Sequence, residues 1–323
     1  MKIIKHTDIV AANIESSLCL DWVNEMLMKK ETALLPPKIS LHFDDDGFFN
    51  VMPCVLSHLD VAGVKVITRK IGRRPAIDSE LLLYDNETRN VKALMDANWL
   101  TAMRTGAVAV HTIKNLAKSD FKTIGLLGLG NSQTAMVKVL LDVYKDREMN
   151  FSLLKYKDAH VRFKEFMLEE AAKCGAHNIT VDFADDAETI MGQNDVIVSA
   201  VTYTDKDFCD ASVYRPGTLV VAIHLRGFMG CDITFDKVFC DDFSHVEGFK
   251  HFNDWKYKAE VAQVIRGEAK GRENDEERII AYNVGLSLHD MFFAEKIYDL
   301  MADRCPEIKL DGPKDGAWLM EGK

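Results

Sequence analysis

The hydrophobic pattern changes rhythm near residue 120. Before it, residues 14–29 carry Ile14, Leu18, Trp22 and Met26 at helical spacing, and short β-like runs follow at 38–43, 48–56, 61–68, 81–84 and 91–94. Turn clusters such as Asp44-Asp45-Asp46-Gly47 and Asp85-Asn86-Glu87-Thr88 divide these runs, and strands this close together pair antiparallel. Asp44-Asp45-Asp46-Gly47 lacks the later glutamate and the spacing of a calcium loop, so it reads as an acidic hairpin turn. Residues 97–117 form a long helix with Leu100, Met103, Ala107, Val110 and Ile113 along one side.

From Lys122 onward the two rhythms alternate. Strands are predicted at 123–127, 151–154, 178–182, 195–200, 218–223 and 237–240, with helices at 134–144, 160–174 and 186–191 among the earlier ones. Such alternation marks a parallel, doubly wound sheet. A polar segment with Phe249, Phe252 and Trp255, a charged stretch at 266–278 and a helix at 283–301 follow. The predicted fold is α/β: a Rossmann-like doubly wound parallel sheet at 120–280, plus an antiparallel-sheet domain from 1–119 and 281–323.

The first strand of the parallel unit runs into Gly128-Leu129-Gly130-Asn131-Ser132-Gln133 and then a helix. The first glycine permits a sharp turn, the second lets backbone approach a pyrophosphate, and the helix start offers free N–H groups. The next strand ends in Lys155-Tyr156-Lys157-Asp158, where dinucleotide sites usually meet the ribose. Two lysines flanking a tyrosine suit a 2′-phosphate, so NADP(H) is preferred, while Asp158 keeps NAD(H) open.

Bulk composition narrows the partners. The 323 residues are 47% hydrophobic and 28% charged, an ordinary globular balance. A formal charge of −10 repels phosphate backbones, which argues against nucleic acid. Seven scattered cysteines without a Cys-x-x-Cys pair read as free thiols in a reducing compartment, with no metal site. No run is long enough for a membrane span and the start lacks a signal-peptide core, so a cytoplasmic location is expected. An anionic small molecule would then be gripped by local cations, and Lys38, Lys65 and Arg104 are the candidates; Lys65 stands alone in the apolar run Val64-Lys65-Val66.

The run from Leu100-Thr101-Ala102-Met103-Arg104-Thr105-Gly106-Ala107, joined to Gly128-Leu129-Gly130-Asn131-Ser132-Gln133, resembles the ornithine cyclodeaminase/mu-crystallin family. Gly63-Val64-Lys65, Asp241-Asp242 and Asn283-Val284-Gly285-Leu286-Ser287-Leu288-His289-Asp290 extend the resemblance over most of the chain. The resemblance implies a nicotinamide-binding domain and a second domain that binds substrate and forms a homodimer. It implies a small amino-acid, imino-acid or ketimine substrate whose carboxylate meets Lys65, Arg104 and Lys38, the last where an arginine is usual. It sets Thr105 and Gly128, Gly130, Asn131, Ser132 and Gln133 toward the cofactor phosphates, and Val201, Thr202 and Ile223 beside the nicotinamide.

One position departs. Where cyclodeaminases of the family carry an aspartate, this chain has Arg226 in His224-Leu225-Arg226-Gly227. An arginine, with a pKa above about 12, does not accept a proton at neutral pH. Arg226 would grip a second carboxylate or a cofactor phosphate, or be a surface residue; His224 is a proton-transfer candidate or a structural histidine. The resulting expectation is an NAD(P)-dependent oxidoreductase acting on a C–N bond. The alternatives are an ornithine cyclodeaminase and a non-catalytic ligand-binding protein.

Overall fold

The computed structural model describes residues 1–310. In chain order these form β1 (Lys2–Ile4), α1 (His6–Ala11), α2 (Ser16–Met28), β2 (Ala33–Leu34), β3 (Ile39–His42), β4 (Phe48–Leu56), β5 (Val61–Arg69), β6 (Ile77–Asp85), β7 (Val91–Asp96) and α3 (Asn98–Leu116). Next come β8 (Thr123–Leu127), α4 (Asn131–Val143), β9 (Met149–Leu154), α5 (Ala159–Cys174), β10 (Ile179–Ala184), α6 (Ala187–Gln193), β11 (Val196–Ser199) and β12 (Leu219–Ala222). The described part ends with β13 (Lys237–Cys240), β14 (Lys258–Glu260), α7 (Val261–Ile265), β15 (Ile279–Tyr282) and α8 (Ser287–Met301).

Two sheets result. The first runs β1-β7-β6-β5-β4-β2 with β3 beside β4; all its pairings are antiparallel except β1 with β7. Its long strands alternate buried and half-buried residues, as strands covered on one face do. Helix α8 supplies that cover, and Gly63 makes the contact possible, since a Cβ there would strike the Met291 sulfur and the Leu82 carbonyl. The second sheet runs β10-β9-β8-β11-β12-β15-β13-β14, all parallel. Strands β11, β12, β13 and β15 are buried at every residue, because helices and loops cover both faces.

Helix α3 joins the two sheets and packs on α2, α4 and α8. Gly106 brings it against α4, where a Cβ would collide with the backbone of Ala135 and Met136. The Arg104-Thr105 pair is thereby held next to the glycine loop.

Strand β15 corrects the expected boundary at residue 280. Its four residues insert between β12 and β13, so the parallel sheet extends through Tyr282. The last helix starts at Ser287 rather than at 283, because Gly285 takes φ +91° and breaks the helical path. Residues 311–323 of the expected second domain lie outside the described residues.

Candidate active site

Strand order sets where a ligand can lie. The order in which strands are added to the parallel sheet reverses between β8 and β11, and the C-terminal ends of strands open a crevice at such a point. Gly128, just past β8, turns with φ +78°, and a Cβ there would strike the Ala200 carbonyl and the Val201 nitrogen. Only glycine closes that corner. Beside Gly130 the space a Cβ would fill is open, and α4 begins directly after it without a side-chain cap. Among the described residues no acceptor meets the amides of Asn131 and Ser132. Free amides, open approach and a positive helix end fit the pyrophosphate of a dinucleotide.

Two expected phosphate contacts point elsewhere. Gln133 is 0% exposed, with Nε2 3.5 Å from the Val198 carbonyl. It supports the loop from beneath, because an inward first-turn position faces the sheet. The Thr105 hydroxyl donates to the Thr101 carbonyl at 2.7 Å, so its proton is already committed within α3.

Along the rest of the crevice, Val201 and Thr202 follow β11 and Ile223 follows β12, its neighbour in the sheet. His224 Nδ1 accepts the Arg226 N–H at 3.3 Å, which puts the ring proton on Nε2, 2.7 Å from Ser199 Oγ. Burial lowers the His224 pKa to about 4, so the ring is neutral. At the other end Lys155 pairs with Asp185 at 2.7 Å, while Lys157 Nζ lies 5.3 Å from the centre of the exposed Tyr156 ring.

The cations converge on one carboxylate. Asp290, in the first turn of α8, has Oδ2 2.8 Å from Lys65 Nζ on β5 and Oδ1 3.0 Å from Arg104 Nε on α3. Lys65 and Asp290 are both fully buried. Desolvation pulls the Lys65 pKa down to about 8, with Asp290 opposing the fall and Arg104 adding to it. Gly285 lies against the Arg104 guanidinium, where any Cβ would collide. That glycine is itself held: its N–H donates to Asp241 Oδ2 at 2.7 Å, and Asn283 Nδ2 donates to Oδ1 at 2.9 Å. Lys30 ties the same corner to the first sheet's lobe through Asp242 at 2.7 Å and Glu260 at 2.6 Å.

A cavity of about 20 Å³, room for a water-sized group, adjoins this corner. Lys38, Met52, His245, Gly285 and Ser287 line it. Met52 is the cross-strand partner of Lys65, which joins the cavity to the cations. The Lys38 pKa is lowered, by desolvation first and by Arg104 second. His245 turns a buried Nδ1 without a partner among the described residues, and desolvation lowers its pKa against the pull of Asp241 and Asp242.

The profile of the ornithine cyclodeaminase/mu-crystallin family matches residues 1–304. The chain belongs to that family. The nodulation efficiency protein NfeD of Rhizobium meliloti is 29% identical over 310 residues, spanning 92% of this chain and 94% of that protein. A Delta(1)-pyrroline-2-carboxylate reductase of Bacillus thuringiensis is 25% identical over 291 residues, 83% of this chain and 86% of that protein. The structure of Thermococcus litoralis Delta(1)-pyrroline-2-carboxylate reductase in complex with NADH and L-proline matches with a TM-score of 0.84 at 21% identity, over 95% of this chain and 100% of that one.

For this member of the ornithine cyclodeaminase/mu-crystallin family, tertiary contacts add residues that pattern reading passed over. Lys30, His245 and Ser287 are such residues. His245 follows Asp241-Asp242 closely, yet nothing periodic in that polar segment marks it. His111, seven residues after Arg104 on α3, meets Asn24 of α2 at 3.2 Å and so packs between helices.

Proposed function

We propose that this chain is an NAD(P)-dependent oxidoreductase acting on a C–N bond, reducing the C=N of a small imino acid or ketimine or oxidising the corresponding amino acid. The observation that carries this reading is Asp290 shared by Lys65 and Arg104. Two buried cations on one buried anion leave an excess positive charge, which a substrate carboxylate neutralises. Lys38 adds a further charge at the rim of the adjoining cavity.

A nicotinamide held there would supply a hydride for the imine carbon, and the imine nitrogen would take up a proton. Lys65, Arg104 and Lys38 hold the carboxylate so that this carbon meets the crevice with a fixed face. Lys65 is the proton source in this reading, since its pKa of about 8 lies near the working pH. His224 is not, because its ring proton goes to Ser199 and burial keeps the ring neutral. Arg226, standing where a cyclodeaminase of the family has aspartate, counts against the cyclodeaminase reaction. The reductase name of the Bacillus relative agrees with the main reading.

Gly128, Gly130, Asn131 and Ser132 would hold the pyrophosphate, with Val201, Thr202 and Ile223 beside the nicotinamide. NADP(H) is the preferred form, with Tyr156 and Lys157 meeting the 2′-phosphate; Lys155 contributes less because Asp185 already engages it. The protein acts as a homodimer: β3 is exposed along its length, and Leu34, Ile39, Leu41 and Phe43 expose apolar side chains on and beside that edge of the sheet. Free cysteines fit a cytoplasmic setting, and among the described residues no helix is long and apolar enough to cross a membrane.

Purified protein given NADPH or NADH with Δ1-pyrroline-2-carboxylate is expected to consume cofactor and form proline in equal amounts. Ammonia from ornithine without net redox change would assign the cyclodeaminase reaction instead. Tight cofactor binding with no turnover of any imine would assign a ligand-binding role.

A further inference from the structure

Arg226 has a fixed backbone and, among the described residues, a guanidinium with no acidic partner. Its turn, 225–231, is clamped to the loop before it: the Phe208 N–H donates to the Gly227 carbonyl at 3.0 Å, and the Gly230 N–H to Asp207 Oδ2 at 3.0 Å. Gly227 takes φ +92°, and a Cβ there would enter the Phe208 ring, which itself packs on Phe228 with centroids 5.2 Å apart. The Arg226 N–H is bound by His224, whose other nitrogen meets Ser199 at the end of β11. The guanidinium carbon sits 5.0 Å from the centre of the Tyr203 ring, and Tyr203 is 68% exposed. Among the described residues no carboxylate lies within ion-pair distance of it.

The place is specific. Tyr203 follows β11 and Arg226 follows β12, so the pair stands on the strand ends next to the β8–β11 crevice. A guanidinium held over an aromatic face makes no hydrogen bond to the ring edge and keeps N–H groups free, and these match a carboxylate with two parallel hydrogen bonds. Lys65 and Arg104 already account for the carboxylate next to the reacting carbon.

We infer that Arg226, lying over the Tyr203 ring, binds a second carboxylate of the substrate, which makes the substrate an imino dicarboxylic acid. This rests on the imine-reducing reading above and adds the far end of the molecule to it.

The test uses the purified full chain, NADPH and NADH, and two matched pairs of substrates. One pair is Δ1-piperideine-2-carboxylate and Δ1-piperideine-2,6-dicarboxylate; the other is ammonium with pyruvate or with 2-oxoglutarate. In at least one pair the dicarboxylate is expected to have the higher kcat/KM, by about 10- to 100-fold, the range of a charge-assisted hydrogen bond. Arg226→Gln is expected to bring that ratio close to one, and Tyr203→Phe, which keeps the ring face, to preserve it. The inference is overturned if the monocarboxylates are the better substrates in both pairs, or if Arg226→Gln leaves the ratio unchanged. It is also overturned if that variant instead raises the cofactor KM equally for every substrate, the sign of a phosphate contact. Reduction of no imine at all would remove the underlying reading, whereas reduction of monocarboxylates alone removes only this inference.

Discussion

Replacing Asp290 with asparagine keeps the side chain's shape and takes away the charge that two buried cations share. The distances are 2.8 Å to Lys65 Nζ and 3.0 Å to Arg104 Nε, and the three side chains are 0%, 0% and 8% exposed. Removing one member of a buried ion pair costs about 3–5 kcal/mol, because the remaining charge stays desolvated. The Arg104 guanidinium bears that loss. Lys65 has an escape: its pKa is about 8 with Asp290 present, and Asp290 is what raises it. Without the aspartate the value falls, and once it lies below neutrality the protein loses a further ~1.4 kcal/mol at pH 7, one pKa unit's worth. The folded pKa of this lysine is depressed below its unfolded value, so the unfolded chain keeps the proton while the folded variant gives it up, and stability drops. At pH 9 the wild-type lysine is itself mostly neutral, and that extra part vanishes. Urea unfolding followed by tryptophan fluorescence at pH 7 and pH 9 measures both quantities. A deficit under about 1 kcal/mol at pH 7 would refute the shared-counterion argument, and so would a deficit that fails to shrink at pH 9.

Three further outcomes are expected. Gly285→Ala places a Cβ into the Arg104 guanidinium at φ +91°, so it should cost about 1–3 kcal/mol in thermal or urea unfolding and weaken substrate binding by tenfold or more; unchanged affinity by calorimetry would show that Arg104 does not meet the substrate. His111 and His224 have pKa values lowered to about 4, and that of His289 is lowered well below its usual range, all chiefly by burial. Because the unfolded chain binds these protons below about pH 6.5 and the folded one does not, stability should fall by about 2 kcal/mol for each of His111 and His224 on going to pH 5, with His289 acting in the same direction, and urea midpoints that stay flat from pH 7 to 5 would contradict this. Lys157→Glu should weaken NADPH by about tenfold or more relative to NADH in fluorescence titrations; an unchanged ratio would move the 2′-phosphate away from this strand end.

The parts that sequence alone determined are those set by neighbours in the chain. The change from period-two to alternating elements, the turn at Gly128 and Gly130, and the strands at Thr123–Leu127 and Lys237–Cys240 follow from local sterics and from which side chains must face away from water. Lone charges in apolar runs, such as Lys65, likewise announce a buried partner without naming it. The partner itself is a tertiary fact: Asp290 lies 186 residues beyond Arg104, and only the packing of α8 across the first sheet and α3 brings them together. Strand β15 escaped pattern reading because its apolar tetrad runs on toward a helix whose true start is set by the Arg104–Gly285 contact. Gln133 and Thr105 sit in the expected motif, yet their side chains turn to the sheet and to their own helix, since motif spacing specifies a backbone path and not a rotamer. His245 belongs to the cavity only because two sheets meet there, a juxtaposition that no stretch of contiguous residues encodes.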